Sequence, residues 1–149
     1  MNSAMKTSKA LMGYCGLYCG DCPAYKGEIP DLARGLRKKL RESKLDRASP
    51  FLAKVHKGYK NYEKFDEVLG LLTEMSCKKV CRERVRPPSC EIRKCCLEKN
   101  IQGCWECEEF ETCEKSDWIK PIHGDAHIKN LRRIKRHGMD GFLKGKRDW

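Results

Sequence analysis

The side chains best suited to chemistry in this sequence are its eleven cysteines, which lie in clusters. Cys15, Cys19 and Cys22 form the first cluster, with the spacing C-x3-C-x2-C, and the other eight lie within residues 77–113. Those eight are Cys77, Cys81, Cys90, Cys95, Cys96, Cys104, Cys107 and Cys113. Close pairing of this kind is typical of metal ligands and not of buried core thiols.

Four cysteine pairs have a spacing that suits zinc, namely Cys19/Cys22, Cys77/Cys81, Cys90/Cys95 and Cys104/Cys107. Zn²⁺ takes four ligands in a tetrahedron, at roughly 2.3 Å from each sulfur, and two nearby cysteines can bind one face of the ion. We therefore expect about two structural zinc ions per chain. Which pair joins which stays open, and Cys15 or Cys113 could replace a member of a pair. Cys96 directly follows Cys95 and is predicted to be a buried thiol outside the sites.

The composition indicates a single soluble domain over residues 1–149 with a thin core, since 36% of the residues are charged and 40% are hydrophobic. Small folds with thin cores often need disulfides or metal ions. No signal peptide and no membrane span is predicted, because no apolar run approaches the roughly 18 residues that a span needs. A cytoplasmic location follows, and paired cysteines there usually bind metal or do redox chemistry.

Hydrophobic periodicity predicts helices outside the cysteine clusters, in residues 30–76 and in a basic tail at residues 114–149. Leu32, Leu36 and Leu40 recur every four residues after Pro30, which suits a first helical turn. A stronger pattern begins after a possible cap at Asn61, and a third runs from about Asp125 to His137, where Gly138 ends it. The members of the second pattern are Phe65, Val68, Leu69, Leu72 and Met75. The predicted fold is mostly α, with an irregular cysteine-rich metal-binding module and about three to four helices.

Two long motifs resemble a known family. They are Y-C-G-L-Y-C-G-D-C-P-A-Y at 14–25 and C-E-I-R-K-C-C-L-E-K-N-I-Q-G-C-W-E-C-E-E-F at 90–110, and the tail I-K-N-L-R-R-I-K-R-H-G-M-D-G-F-L at 128–143 is also similar. The chain resembles the prokaryotic cysteine-rich proteins known as domain of unknown function 3795. The resemblance implies a small zinc-binding domain with no known activity. It places Cys15, Cys19, Cys22, Cys90, Cys95, Cys104 and Cys107 at the family's cysteine positions.

The chain departs from the family at the remaining predicted ligands. The second cluster of the family is usually C-x-G-C, whereas this chain has C-K-K-V-C at Cys77 and Cys81. The family's final Phe-Pro-Cys is replaced by a segment in which two residues separate Phe110 from Cys113. The resemblance therefore supports ligation by these three cysteines less directly than ligation by the other seven.

Two other uses of the cysteines remain open. The spacing at Cys15, Cys19 and Cys22 is that of radical S-adenosylmethionine enzymes, whose three thiolates hold an iron–sulfur cluster. Such enzymes are barrels of alternating strands and helices, and this chain shows no such pattern. Cys19/Cys22 and Cys104/Cys107 are also C-x-x-C pairs, but thiol-redox chemistry of the thioredoxin kind needs a strand before the helix. Structural zinc is the preferred interpretation.

The charge distribution allows an acidic partner. The formal net charge is +11, and residues 30–64 hold eleven Lys or Arg against four Asp or Glu. Lys57, Tyr59, Lys60 and Tyr62 alternate charge with aromatic rings, as proteins that bind single-stranded nucleic acid do. A solvated helical face is the commoner origin of such a pattern. A nucleic acid or an acidic protein is therefore a possible partner, and a membrane is not.

The sequence gives no sign of a catalytic apparatus. No Gly-rich phosphate loop or hydrolase nucleophile elbow is present. His123 and His127 are one helical turn apart and could hold a metal, but Pro121 and Gly124 lie nearby, so a capping or surface role is expected. Trp105 and Phe110 are expected to cover the metal sites and exclude water. The chain is interpreted as a zinc-binding protein, and the sequence indicates no reaction that it catalyses.

Overall fold

The computed structural model describes residues 8–83 and 90–149, and these residues form helices and turns without a named strand. The seven α-helices are α1 (Pro23–Lys26), α2 (Glu28–Glu42), α3 (Leu45–Leu52), α4 (Tyr62–Glu74), α5 (Glu91–Glu98), α6 (Lys120–His123) and α7 (Ala126–Lys144). Short 3-10 helices cover Lys9–Leu11, Cys19–Asp21, Lys57–Asn61, Cys104–Glu106, Phe110–Thr112 and Glu114–Ile119. One isolated antiparallel bridge joins Met12 and Tyr18. The predicted mostly helical, cysteine-rich fold is confirmed.

The chain divides into two compact units. The helical unit is Lys26–Cys77, and the cysteine-rich unit comprises Met1–Tyr25 and Lys78–Trp149. The prediction of a single domain over the whole chain stays a prediction. In the described part of the chain, no helix is both long enough and apolar enough to span a membrane.

In the helical unit, α2 packs against α4. The Arg37 guanidinium donates to both carboxylate oxygens of Asp66, at 3.0 and 2.9 Å, and Arg34 donates to the Thr73 carbonyl at 2.8 Å. The packing buries Ala33 on α2 and Leu69 on α4, which are 3% and 4% exposed. Two helices of 15 and 13 residues thus share a narrow apolar contact that is flanked by charged hydrogen bonds.

The periodic patterns predicted these helices correctly but not all of their details. Helix α2 contains the predicted leucines, yet Leu32 is 74% exposed and Leu36 is 47% exposed. Helix α4 begins directly after Asn61, whose side chain makes no capping hydrogen bond. The predicted cap is therefore wrong, although the helix boundary is right.

The long helix α7 organises the cysteine-rich unit. Its buried face carries Ile128, Leu131 and Ile134, as its periodicity predicted. Gly138 has φ 71° and ψ 168°, which interrupts the helix where the sequence predicted a stop, but a further helical segment continues to Lys144. Phe142 on that segment is 2% exposed and packs with Met12 and Ile134.

Candidate metal centre

Six cysteines surround one cavity of ≈ 60 Å³ in the cysteine-rich unit. They come from separate segments. Cys95 and Cys96 lie on α5, Cys104 begins a 3-10 turn that Cys107 ends, Cys113 precedes another such turn, and Cys15 comes from the first cluster. A cavity of about 10–15 Å³ is enough to hold one water molecule, so this cavity has room for an ion. The fold therefore assembles thiols that are far apart in sequence.

The Cys104–Glu106 turn is built around a close contact of Trp105. The Cys107 N–H donates to the Cys104 carbonyl at 3.0 Å, which closes the turn. A Cβ atom on Gly103 would lie 2.2 Å from the Trp105 ring, so only glycine fits there. The Cys104 N–H donates to the Tyr14 carbonyl at 2.9 Å, which joins this turn to the first cysteine cluster.

Three sulfur contacts surround the cavity. The Cys96 and Cys104 sulfurs are 3.8 Å apart, within hydrogen-bond distance for two thiols. Lys115 Nζ lies 3.3 Å from Cys95 Sγ, and Lys99 Nζ lies 3.7 Å from Cys107 Sγ. Two lysine ammonium groups therefore lie against thiols that face the cavity.

The contact between Cys96 and Cys104 shifts the pKa values of the two thiols in opposite directions. The hydrogen bond from Cys104 lowers the pKa of Cys96, and donating that bond, together with burial, raises the pKa of Cys104. Arg82 and Lys99 also favour a thiolate at Cys96. Cys96 is thus the more acidic thiol of the pair, and Cys104 holds its proton more tightly. An ion that binds Cys104 must displace this proton.

A second group of thiols surrounds Cys15. Burial raises the pKa of the Cys15 thiol to about 12, although part of the residue remains accessible to solvent. A backbone hydrogen bond from Leu17 opposes the rise, and the nearby sulfurs of Cys81, Cys90 and Cys19 add to it. Cys15 also lines the cavity, so it belongs to the surroundings of both thiol groups.

The predicted ligands Cys22 and Cys77 do not line the cavity. Cys22 is half-buried, and its N–H donates to the Cys19 carbonyl at 3.1 Å. Cys77 is the last residue of the helical unit. All eleven cysteines lie in described residues and are thiols without disulfide bonds. Within residues 8–83 and 90–149, no three His, Cys, Asp or Glu side chains are already arranged to hold an ion.

His127 is a residue that sequence reasoning misjudged. Instead of capping a helix or lying at the surface, it is 0% exposed on the first turn of α7 and lines the cavity. Neither ring nitrogen has a partner at full hydrogen-bond geometry, although the Gly124 backbone acts on the ring. Burial lowers the pKa of the ring, and Asp125 and the Gly124 backbone offset this only in part. Its position four residues before Leu131 was the available signal, because that spacing places both on the buried face of α7.

Asn130 is a second functional residue that the sequence did not reveal. It is 0% exposed, and its amide nitrogen donates to the carbonyls of Gly16 at 3.0 Å and Asp148 at 2.8 Å. The Asp148 N–H donates to the Asn130 amide oxygen at 2.9 Å. One amide therefore fixes the first cysteine cluster and the C-terminal segment to α7.

The two predicted aromatic covers have different positions. Phe110 is 5% exposed and lines the cavity, as expected. Trp105 instead packs against the cluster of Met12, Tyr18 and Phe142 and against that of Phe110 and Leu131. It therefore stabilises the turn that carries Cys104 and does not form the cavity wall.

A family model described as "Protein of unknown function (DUF3795)" matches residues 11–118. The match includes all eleven cysteines and ends before His127 and Asn130. No curated protein sequence matches the chain, and no solved structure matches it.

Proposed function

We propose that this chain, which belongs to the family of proteins of unknown function (DUF3795), is a zinc-binding protein whose metal is structural. The observation that carries the proposal is the cavity with six cysteines from different segments. Buried thiols without a shared ligand gain little from such convergence, whereas a zinc ion requires it. The family match itself names no function, so the argument depends on this chain's own residues.

The donor set suits zinc. Thiolates and a neutral imidazole are the common ligands of structural zinc, and the cavity is lined by both residue types. Lys99 Nζ and Lys115 Nζ lie 3.7 and 3.3 Å from the sulfurs of Cys107 and Cys95, where they would offset the negative charge of metal-bound sulfur. The described thiols do not yet form a coordination sphere, so their side chains must turn toward the ion when it binds. About two ions per chain would use eight ligands, fewer than the ten predicted cysteines, and Cys96 is predicted to be a spare thiol.

When bound, zinc supplies cross-links between segments that are far apart in the sequence. Sites of this kind do not exist in an unfolded chain, so the free energy of metal binding becomes free energy of folding. We place the protein in the cytoplasm, where reducing conditions keep the cysteines as thiols available to metal. The basic residues 30–64 would then face an acidic protein or nucleic acid.

A second candidate function is thiol redox chemistry, which the 3.8 Å separation of the Cys96 and Cys104 sulfurs favours. Oxidation by a low-molecular-weight disulfide such as glutathione disulfide would join these sulfurs, releasing two electrons and two protons to give two reduced thiols. Mass spectrometry of the protein under non-reducing conditions, after incubation with that oxidant, tests this candidate. A Cys96–Cys104 disulfide that forms only after metal removal would leave zinc binding as the primary function.

Elemental analysis of the anaerobically purified chain, with its visible spectrum, tests the zinc proposal. We expect about two zinc ions per chain and a colourless protein. Cys104→Ser and Cys22→Ser should each lose about one ion and melt at a lower temperature. Cys96→Ala is the matched control and should retain both ions. Iron with sulfide and a brown colour, or unchanged zinc in both serine variants, would contradict the proposal.

A further inference from the structure

The buried ring of His127 is the polar group for which the fold gives no account. It is 0% exposed, and neither ring nitrogen has a partner at full hydrogen-bond geometry, although the Gly124 backbone acts on the ring. Leaving a buried donor or acceptor unsatisfied costs free energy, so such a group indicates an unseen water, ion or ligand. The partner must lie where the ring faces, because both nitrogens are shielded from bulk solvent.

The ring lines the cavity that also holds the thiols of Cys104, Cys107 and Cys113. Cys104 packs against the apolar cluster of Phe110, Ile128 and Leu131, and the last two of these belong to α7, as His127 does. Most of the other cavity thiols come from α5 and the following turns, and Cys15 comes from the first cluster. Within the described residues these groups are not already arranged around an ion, so their side chains must turn to bind one.

The backbone at His127 is held closely in place. A Cβ atom on Gly16 would lie 2.9 Å from the His127 carbonyl oxygen and 2.7 Å from Leu131 Cγ. Asn130, three residues later, donates to the Gly16 carbonyl at 3.0 Å. The first turn of α7 is thus fixed against the first cysteine cluster, which sets the position of the backbone from which the imidazole extends.

A metal ion accounts for the orphaned ring better than a water does. A buried water needs two to four good hydrogen-bond partners, and most groups around this cavity are sulfurs and apolar side chains. The polar side chains that also line it already have partners: Lys99 binds Glu109, Lys115 binds Cys95, and the Ser116 hydroxyl donates to the Cys113 carbonyl. Thiols are weak hydrogen-bond groups but strong zinc ligands. One imidazole with three thiolates is a common structural zinc set.

We propose that His127 is the nitrogen ligand of a zinc ion that it shares with Cys104 and two other thiolates of the cavity. This Cys3His site rests on the proposed zinc-binding function and extends it, because the matched family region ends at residue 118 and does not contain His127. The site links α7 to the cysteine turns. The tail helix thereby becomes part of the metal-binding module.

X-ray absorption at the zinc edge of the wild-type protein is the first test. With about two ions, one bound by four sulfurs and one by three, the spectrum should contain Zn–N scattering at about 2.0–2.1 Å, with the outer-atom pattern of imidazole, beside Zn–S at about 2.3 Å. Zinc bound by sulfur alone would overturn the assignment of His127 while leaving the zinc-binding function intact. A protein without metal would overturn both proposals.

Variants then identify the imidazole. His127→Ala should lose about one ion, whereas His127→Cys should keep both ions and replace the Zn–N signal by Zn–S. His137→Ala, an exposed position on the same helix, is the matched control and should change neither metal content nor spectrum. A persistent Zn–N signal in His127→Cys would overturn the proposal. Replacing zinc with Co²⁺ gives a second measurement, because sulfur and nitrogen ligands place the visible absorption bands of Co²⁺ at different wavelengths. If His127→Ala does not fold, the wild-type spectrum and His127→Cys still decide the question.

Discussion

The two units of this chain differ in what holds them together. In the described residues, seventeen hydrophobic side chains are buried, and all but Ala33, Tyr62 and Leu69 belong to the cysteine-rich unit. The helical unit instead leaves large apolar side chains exposed: Leu32, Leu36, Phe51, Val55, Phe65, Val68, Leu71 and Met75. Regular helices thus form with a small core, whereas the irregular unit needs dense packing and, in our account, metal.

In this chain, the unit with the more regular secondary structure is the one with the smaller buried core. Helices α2 and α4 satisfy their backbone hydrogen bonds internally, so a narrow apolar contact and the Arg37–Asp66 ion pair suffice to align them. The short 3-10 turns that carry the cysteines form fewer hydrogen bonds within their own backbone. Their positions depend on long-range contacts such as the hydrogen bond from Asn130 to Gly16 and, in our proposal, on a shared metal ion at the cavity.

The largest difference between the units should appear when one core side chain of each is truncated. Phe142→Ala should cost about 3–5 kcal/mol of unfolding free energy, and Leu69→Ala about 2 kcal/mol, because Leu69 has the partly exposed neighbours Val68 and Phe65. Trp105, Trp118 and Trp149 all lie in the cysteine-rich unit, so their fluorescence reports on that unit alone. Denaturant titration should show a shifted fluorescence transition for Phe142→Ala and an unshifted one for Leu69→Ala. Equal fluorescence shifts would break the comparison.

Two glycines with positive φ, one in each unit, allow a second comparison of the two units. Gly16 has φ 94°, and an added Cβ would collide with Leu131 and His127, whereas Gly27 has φ 76° and nothing within 4 Å. Gly27→Ala should therefore cost only the backbone strain of about 1–2 kcal/mol. Gly16→Ala should cost more than this, and it should also reduce zinc content because it displaces the first turn of α7. Calorimetry and metal analysis of both variants provide the test, and equal melting temperatures would contradict it.

Removal of the Asn130 amide should have a moderate effect. Asn130→Ala leaves the buried Gly16 carbonyl without a donor, at an expected cost of about 1–3 kcal/mol. Asn130→Asp keeps the shape but loses both N–H groups, so it should be destabilised as well. Fluorescence-detected unfolding measures both variants. Stability equal to that of the wild type would show that this amide does not hold the C-terminal segment in place.

The smallest expected effect concerns the ion pair of the helical unit. The hydrogen bond from Arg37 lowers the pKa of Asp66, with burial opposing it. A lowered carboxyl pKa contributes stability that is present above the unfolded value of about 3.9 and is lost as the pH falls through the folded value. Carbon-detected NMR of the Asp66 carboxyl should give a midpoint below that value. Arg37→Gln should raise the midpoint, and an unchanged midpoint would disprove the coupling.

Sequence periodicity was sufficient to predict the helices but not their buried faces. The leucines at four-residue intervals marked α2 correctly, yet the fold buries Ala33 and leaves Leu32 exposed. Periodicity reports that one face is apolar, while packing against a specific neighbour decides which side chains are covered. At Gly138 the sequence predicted a stop, and the structure instead continues after an interruption, because Phe142 packs with Met12 and Ile134.

The candidate site was predictable in its residue types and not in its grouping. Local spacing marked the Cys104/Cys107 turn, which the structure closes by a hydrogen bond of 3.0 Å. It could not show that Cys15, Cys95 and Cys113 share its cavity, because tertiary contacts bring these segments together. His127 was misjudged for the same reason. Its burial depends on the packing of α7 against residues more than a hundred positions earlier in the chain, including Gly16.

Hydrogen exchange of the full chain, with zinc bound and after chelation, tests the central claim most directly. We predict that chelation removes amide protection throughout the cysteine-rich unit, including α5 and α7, while α2 and α4 keep theirs. Protection that survives chelation in both units would contradict the claim that metal holds the cysteine-rich unit folded.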